Sequence, residues 1–366
     1  MKEISFTSMD LKTLRKKIDD IDTQIVELLN QRAQTAIEVG KQKKNKPVYD
    51  PTREKQVLDL LKKNSNGTFP EDALVAVYKE VISACRSLQY PEKIAFLGPE
   101  GTFSHLAAKN HFGTSATFHA TSSIESVFES VLKNECQYGI APLENSYEGS
   151  VKHTMNCLIH SKLQICGQFF MKINHALISS QPDLSKINQI YSHPQALAQC
   201  RSWLSENLPH ANRLESSSTA AAAKIVNNNQ NAAAIANPIV AHQHNLSILK
   251  TDIQDSDLNE TRFIVLSKND CPITENDQTS LVLWLKDQKG ALLQVLKLFD
   301  DANINLSLVE SHPSSQRAWE MVFFVDFDGH REQTHVSKVL TKLEKCCEKM
   351  ITLGSYAKIT KNKENS

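Results

Sequence analysis

The stretch NETRFIVLS at residues 259–267 places a hydroxyl, a guanidinium and an aromatic ring at the head of an apolar run. The run that starts at Phe263 is typical of a buried strand. Alternation along such a strand puts Thr261 and Phe263 on one face and Arg262 on the other. A threonine hydroxyl donates a hydrogen bond at neutral pH but holds its proton too tightly to act as a base. The stretch therefore indicates a functional site at the start of this strand, and that site relies on a hydrogen-bond donor rather than on a base.

A second group of candidates is a series of cations along one amphipathic helix. Apolar residues from Leu11 to Leu28 follow the 3-4-3-4-3 spacing of a single helix stripe. Arg32 falls on the next position of that stripe, Lys43 lies three turns farther on the same face, and Arg15 borders its other end. Arg15 and Arg32 are roughly 25 Å apart along the axis, too far to hold one small ligand. If both bind carboxylates, each site takes an arginine from a second subunit.

The elements that must position these cations form an all-helical segment. We expect a long helix from residue 11 to about 44, ended by Pro47, and a third helix over about 70–88. Between them a second helix begins with Asp50 as its N-cap and Pro51 at its first position. A long helix with two short partners is too thin to close a core, so we expect association with another chain, at least a dimer.

After the helical segment, the pattern of apolar residues changes. Residues 93–268 alternate short apolar strands with helices, which predicts an α/β domain, and the polar stretch SKNDCPITENDQ then reads as a linker. Residues 279–356 run in the order βαββαβ, which suggests a ferredoxin-like sandwich. With residues 1–91 as the helical domain, the fold class is a three-domain protein of all-α, α/β and α+β parts.

Composition excludes several classes of protein. The 366 residues include 41 basic and 41 acidic side chains, so net charge gives no argument for a nucleic-acid or membrane partner. Eight scattered cysteines without a CxxC predict a reduced, cytoplasmic protein. Four of the histidines could suggest a metal, but they lack carboxylate or thiolate ligands at fitting spacing, so we expect no metal and assign no cofactor; the four are His105, His193, His242 and His244.

The stretch LRKKIDDIDTQIVELLNQRAQTAIEVGKQK, followed by VYDPTRE and a glutamine at position 89, is similar to the all-helical chorismate mutases. The rearrangement of chorismate to prephenate needs no acid, base or cofactor, only a folded diaxial dianion and donors aimed at its ether oxygen. The resemblance implies Lys43 and Gln89 as those donors, and Cys85 stands where some relatives carry serine. It implies as the substrate site Arg15, Arg32, Lys43, Asp50, Arg53, Glu54, Cys85 and Gln89.

The motifs GPEGTFSHLAA, PLENSYEGSV, YSHPQALAQC, SSSTAAAAK and NETRF, in that order, resemble the prephenate dehydratases. The whole chain is then similar to the bifunctional chorismate mutase–prephenate dehydratases, which implies two periplasmic-binding-protein-like lobes with prephenate in their cleft. Aromatisation drives loss of carbon dioxide and hydroxide, so Thr261 would assist the leaving hydroxyl. The segments 101–104 and 217–219 precede helices, where free N–H groups favour carboxylates. The implied site is Thr102, Ser104, Glu144, Asn145, Ser192, Gln199, Ser218, Thr219, Thr261 and Phe263.

The segments KGALLQVLKLF and ESHPS resemble the phenylalanine-binding signature of ACT regulatory domains. Gly290 allows the backbone to approach a ligand closely, and His312 stands where relatives commonly have arginine. The resemblance implies feedback inhibition by phenylalanine bound at Gly290, Ala291, Leu292, Glu310, Ser311, His312 and Pro313.

Two other functions remain open at this point. Two α/β lobes and an ACT domain could serve a ligand-sensing protein, although a sensor has no need for Thr261 or for the mutase cations. A dehydratase that prefers arogenate is the other, and the fused mutase favours prephenate because it makes prephenate. The number of subunits beyond two, and direct transfer between the sites, are not indicated by the sequence.

Overall fold

The computed structural model describes residues 10–43, 49–313 and 321–359. The chain divides into two compact units. The helical unit is Met1–Pro91 with Gly113–Ala116, and the mixed unit is Glu92–Phe112 with Thr117–Ser366. The helix end predicted at Pro47 and the polar tail beyond residue 359 lie outside the described residues.

The helical unit contains α1 (Leu11–Gln42), α2 (Pro51–Asn64) and α3 (Glu71–Gln89). The predicted start of α2 is confirmed, since the Asp50 carboxylate accepts a hydrogen bond from the Arg53 amide at 2.9 Å. None of the residues of α1 is buried. Its apolar stripe is solvent-exposed, with Leu11 61% and Leu28 62% accessible. The apolar residues from Leu11 to Leu29 are therefore not covered by the described part of their own chain, whereas Gly40 near the other end of α1 lies against Gln89 of α3.

Within the described residues the mixed unit contains three sheets. The first has the order β2-β1-β3-β11-β5, with β4 paired to β3. Its elements are β1 (Lys93–Leu97), α4 (Phe103–Phe112), β2 (Thr117–Thr121), α5 (Ile124–Leu132), β3 (Tyr138–Asn145), β4 (Gly149–Ser150), α6 (Lys152–His160) and β5 (Gln164–Lys172).

The second sheet has the order β10-β6-β9-β7-β8. After β10 the chain returns to the first sheet, where β11 lies between β3 and β5. The elements are β6 (Ala176–Ser179), β7 (Gln189–Ser192), α7 (Pro194–Gln199), α8 (Arg201–Asn207), β8 (Asn212–Glu215), α9 (Thr219–Val226), β9 (Ala232–Ala236), α10 (Pro238–Gln243), β10 (Ser247–Lys250) and β11 (Glu260–Ser267).

The third sheet is antiparallel in the order β13-β14-β12-β15. The predicted strand and helix order of this region is confirmed. The elements are β12 (Asp277–Leu285), α11 (Ala291–Asp300), β13 (Leu306–Pro313), β14 (Met321–Asp328), α12 (Thr334–Cys346) and β15 (Cys347–Ala357).

One apolar core joins the first and third sheets. It contains Ile165 and Ile264 from the first sheet together with Trp284, Phe324 and Tyr356 from the third. The C-terminal region therefore packs on the strand that carries Thr-Arg-Phe. In the described part of the chain, no helix combines the length and the apolar character needed to cross a membrane.

Candidate active sites

A cavity of about 600 Å³ lies among the three helices of the helical unit, and we refer to it as the helical cavity. Each helix contributes one face to it, because the lining residues recur at intervals of three and four. They are Arg32, Thr35, Ala36, Val39 and Lys43 from α1 and its C-cap, Asp50, Arg53, Glu54 and Val57 from α2 and its N-cap, and Ile82, Cys85, Arg86 and Gln89 from α3.

The close approach of α1 to α3 depends on a glycine. A Cβ placed on Gly40 would lie 3.0 Å from both Cβ and Cγ of Gln89, closer than ordinary van der Waals contact. Gly40 thus allows the Gln89 side chain to enter the cavity from α3. The side-chain oxygen Oε1 of Gln89 is buried, and no hydrogen-bond partner for it is present among residues 10–43, 49–313 and 321–359.

The helical cavity is rich in cations and does not contain every cation of the predicted site. Arg32, Lys43 and Arg53 line it, as do the predicted Asp50, Glu54, Cys85 and Gln89. Arg15 does not, since it lies near the other end of α1. The arrangement can bind a small dianion and offers donors on several sides.

A second cavity, of about 530 Å³, lies between the first and second sheets, and we call it the intersheet cleft. Thr261 and Phe263 of β11 and Asn145 of β3 line it from the first sheet. Residues from α7 and from the start of α9 line it from the second sheet side. The ring of Phe263 stacks on Phe169, with ring centroids 5.6 Å apart.

Thr261 stands at the end of a chain of amide hydrogen bonds. The amides of Tyr147 and Glu148 donate to Asn145 Oδ1 at 3.0 and 3.2 Å, so its Nδ2 faces the other way. Asn145 Nδ2 donates to Thr261 Oγ1 and to Asn259 Oδ1, both at 2.9 Å. Because Thr261 Oγ1 accepts from Asn145, its own proton is left to donate into the cleft. This is the arrangement that assistance to a leaving hydroxyl requires.

This series of hydrogen bonds continues from Asn259 to a buried histidine. Asn259 Nδ2 donates to Gln199 Oε1 at 3.0 Å, and His175 Nε2 lies 2.8 Å from the same oxygen. An oxygen can only accept, so we assign the imidazole proton to Nε2. Burial lowers the pKa of His175, although the bond to Gln199 opposes that shift. His175 is therefore a neutral donor, and the amide N–H groups of Gln199 remain for the cleft.

The helix starts predicted to hold anions lie at the cleft. Thr102, Ser104, Ser218 and Thr219 line it. The Ser218 hydroxyl accepts from the Ala221 amide at 3.0 Å and so caps α9. Backbone N–H groups at the first turns of α4 and α9 provide a partial positive charge for carboxylates.

Two residues of the predicted dehydratase site lie outside the cleft. Glu144 pairs with Arg262 across β3 and β11, so alternation turns both side chains away from Thr261. Ser192 is fully buried, and its hydroxyl donates to the Ile235 carbonyl at 2.7 Å. Neither residue lines the cleft. The structure therefore does not bring these two residues to the cleft, and their role as substrate contacts stays a prediction.

Arg262 is buried against the third sheet. Its Nε donates to Gln168 at 2.7 Å, its Nη2 donates to the Tyr356 hydroxyl at 3.2 Å, and Nη2 lies 2.7 Å from Asp326 Oδ2. The Asp326 contact has the distance of an ion pair without the alignment of a hydrogen bond. Burial is the largest single influence and lowers the pKa of Arg262, but Asp326, Tyr356 and Glu144 together outweigh it and the pKa is raised. Arg262 therefore ties the Thr-Arg-Phe strand to the C-terminal region.

The end of β13 also contacts the first sheet region. The Glu310 carboxylate accepts a short hydrogen bond from Ser150, a residue that lines the cleft. His312 Nε2 lies 3.3 Å from Asn156 Oδ1 of α6. Gly290 precedes α11 with φ +82°, and a Cβ at that position would have no heavy atom within 4 Å. Ser311 and Pro313 are exposed.

Comparisons with known proteins give matches along nearly the whole chain, and the matches agree with one another. The family models that match are chorismate mutase type II at residues 14–90, prephenate dehydratase at 94–271 and the ACT domain at 279–345. A bifunctional chorismate mutase/prephenate dehydratase of Aquifex aeolicus (strain VF5) is 42% identical over 355 residues, 95% of this chain and 98% of the relative. The protein of the same description from Stutzerimonas stutzeri is 36% identical over 356 residues, again 95% and 98% of the two chains.

The chain belongs to the family of bifunctional chorismate mutase/prephenate dehydratases. It rearranges chorismate to prephenate and converts prephenate to phenylpyruvate in phenylalanine biosynthesis. A solved structure of prephenate dehydratase in complex with L-Phe from Arthrobacter aurescens is similar to it. That similarity has a TM-score of 0.67 at 33% identity and covers 73% of this chain and 90% of the other.

Two residues were missed by the sequence analysis. Arg86 lines the helical cavity, and its spacing from Ile82, Cys85 and Gln89 on α3 was a signal that could have found it. His175 lines the intersheet cleft, but its link to Gln199 joins residues that are distant in the sequence. In the parts of the chain that the structure covers, no group of three or more His, Cys, Asp or Glu is arranged to hold a metal ion.

Proposed function

We propose that the helical cavity performs the chorismate rearrangement by holding the substrate rather than by transferring protons. Arg32 and Arg53 bind the two carboxylates, and Lys43 and Gln89 donate to the ether oxygen as negative charge grows on it. The observation that supports this is the convergence of these four side chains on one cavity. An amide donor acts without depending on pH, and fixing the dianion in its folded conformation removes much of the entropic barrier.

We propose that the intersheet cleft performs the dehydration with Thr261 as the donor to the departing hydroxyl. The ring carboxylate leaves as carbon dioxide, its electron pair enters the ring, and the C–O bond breaks to release hydroxide as the ring becomes aromatic. The Thr261 proton stabilises that hydroxide, and Phe263 packs against the ring. The observation that supports this role is the Asn145 bond to Thr261 Oγ1, which uses the oxygen as an acceptor and so leaves the threonine proton for a group in the cleft.

Prephenate is the substrate that we assign to the cleft, in preference to arogenate. The mutase activity of the same chain supplies prephenate, and the donors at the cleft suit a keto acid with two carboxylates. The ratio of kcat/KM for prephenate and arogenate is the measurement that decides between them. A higher value for arogenate would contradict this assignment, and turnover of neither would favour a ligand-sensing protein.

We propose that the mutase site is completed by a second copy of this chain, so that the protein is at least a homodimer. The exposed stripe of α1 supports this, because apolar residues such as Leu11, Ile18 and Leu28 are more than half accessible. Arg15 would then enter the helical cavity of the partner. The eight cysteines are free thiols, which supports a location in the reducing cytoplasm.

We also propose three domains, at 1–91, 93–268 and 279–356. The two sheets that flank the cleft support a periplasmic-binding-protein-like arrangement of lobes for the second domain. The βαββαβ order and the antiparallel sheet support a ferredoxin-like ACT domain for the third.

We propose that phenylalanine inhibits the dehydratase by binding at the start of α11 and the end of β13. The first turn of α11, at Gly290, Ala291 and Leu292, offers a ligand the positive end of the helix dipole, although the Ala291 N–H already donates to the Gln288 carbonyl at 3.2 Å. The end of β13 reaches the cleft through Glu310 and Ser150. Burial lowers the pKa of His312, with Glu310 opposing the shift, so this histidine is neutral at pH 7 and cannot replace the charge of an arginine.

Replacement of Gly290 by valine should abolish inhibition by phenylalanine and leave uninhibited dehydratase activity near normal. The valine side chain occupies space that is open in the structure and that a ligand would fill. Titration of phenylalanine against both activities is the measurement. Gly67→Val is the matched control, because Gly67 also has positive φ (+79°) and open space around its Cβ position, so it carries the same backbone strain. Full inhibition of Gly290→Val would place the inhibitor elsewhere.

A further inference from the structure

Arg86 is a buried cation of the helical cavity to which the mutase motif gives no role. Its side chain is only 5% accessible, and its Nη1 forms a short ion pair with Glu54 Oε1. The guanidinium also lies over the ring of Tyr49, 5.3 Å from its centroid. Two fixed contacts on a nearly inaccessible guanidinium mean that this arginine is held in place before any substrate enters.

Glu54 is the residue that Arg86 controls. The charged groups around its carboxylate come from all three helices: Arg32 and Lys43 from α1 and its C-cap, Asp50 and Arg53 from the start of α2, and Lys79 and Arg86 from α3. Among the described residues, the ion pair of Glu54 is with Arg86. A carboxylate without that partner would turn to Lys43 or Arg53, which the substrate needs as donors to its ether oxygen and to a carboxylate.

We propose that Arg86 is a positioning residue for the chorismate rearrangement, which acts by holding the Glu54 carboxylate against the wall of the helical cavity. Arg86 keeps Glu54 from competing with the substrate for the remaining cations. It also leaves the second oxygen of Glu54 for a hydroxyl donor of the substrate. The proposal rests on the mutase activity of the chain, which wild-type protein establishes separately.

The protonation of Glu54 gives this role a distinctive signature. Burial raises the pKa of Glu54 above its usual range, and the charge and hydrogen bond of Arg86 are the largest influences that lower it. Asp50 raises it further and Lys79 lowers it only slightly. Removal of Arg86 must therefore raise the pKa of Glu54. Glu54 is ionised at pH values above its pKa. If activity depends on the ionised carboxylate, a variant without Arg86 should lose activity on acidification at a higher pH than the wild-type protein does.

The test is the pH profile of mutase kcat/KM in the full chain, with chorismate as the substrate. In Arg86→Gln we expect the acid limb of the profile to move to higher pH by about one unit or more, so that kcat/KM at a fixed pH below the limb falls by about tenfold. Arg86→Lys, which keeps the charge, should restore part of the profile. Lys63→Gln is the control, because Lys63 of α2 is exposed, lies outside the cavity and is not among the charges that act on Glu54, and it should leave the profile unchanged.

A second comparison separates positioning from direct contact and from a merely structural role. In a Glu54→Gln background, Arg86→Gln should cause little further loss, because the carboxylate on which Arg86 acts is absent. This double variant buries no unpaired carboxylate, so it serves even where Arg86→Gln alone does not fold. An unchanged acid limb in Arg86→Gln, or a further loss of tenfold or more in the double variant, would overturn the proposal. The second result would place Arg86 in direct contact with the substrate.

Discussion

Replacement of Thr261 by alanine should lower phenylpyruvate formation by on the order of a hundredfold or more. The hydroxyl is the donor that the Asn145 bond orients toward the cleft, and alanine provides none. Mutase activity should stay near normal, because the helical cavity contains no residue of β11. The measurement is phenylpyruvate formation from supplied prephenate, beside prephenate formation from chorismate.

Thr261→Ser is the matched control for this change. Serine keeps the hydroxyl and loses only the methyl group, so most of the dehydratase activity should return. Thr261→Val tests the opposite case, since it keeps the shape of the side chain and removes the hydroxyl. If Thr261→Val retains the wild-type rate, the hydroxyl is not the donor and the assignment fails.

The second large effect is expected in the mutase site. Arg15→Ala and Lys43→Ala should each lower mutase kcat/KM by on the order of a hundredfold or more, because Arg15 of the partner adds a cation for the carboxylates and Lys43 donates to the ether oxygen. The two residues are separated by roughly 42 Å at the rise of an α-helix, so they cannot act on one substrate within one chain. An equal mixture of the two variants, refolded together, should therefore regain about a quarter of wild-type activity, since half of the dimers have one intact site.

A matched mixture shows whether the recovery has this cause. Lys43 and Gln89 line the cavity of the same chain, so a mixture of Lys43→Ala with Gln89→Ala restores no complete site. We expect no recovery from that pair. Equal recovery in both mixtures, or none in the first when heterodimers have formed, would contradict a site shared between chains.

Much of the helical site could be predicted from the sequence, because a helix fixes its faces by spacing alone. Arg32 and Lys43 were found as departures from an apolar stripe, and both line the cavity. The same rule applied to α3 would have found Arg86. The family motif gives no role to that position, so the resemblance alone does not indicate Arg86.

The strands were harder to interpret, because a strand shows its faces only when its partner is known. Alternation placed Thr261 and Arg262 on opposite faces, and the structure agrees. The pairing of Arg262 with Glu144 across two strands is what turns Glu144 away from the cleft, and a single sequence does not reveal it. The contact between Glu310 and Ser150 joins two regions that only the packing of the third sheet on the first brings together.

The central claim is that one chain carries out two consecutive reactions in two separate cavities. The most direct test is a time course in which the purified protein is given chorismate alone and both products are measured. We predict that prephenate rises first and phenylpyruvate follows, and that Thr261→Ala stops the sequence at prephenate. Unchanged chorismate, or wild-type protein that accumulates prephenate without forming phenylpyruvate, would contradict the account.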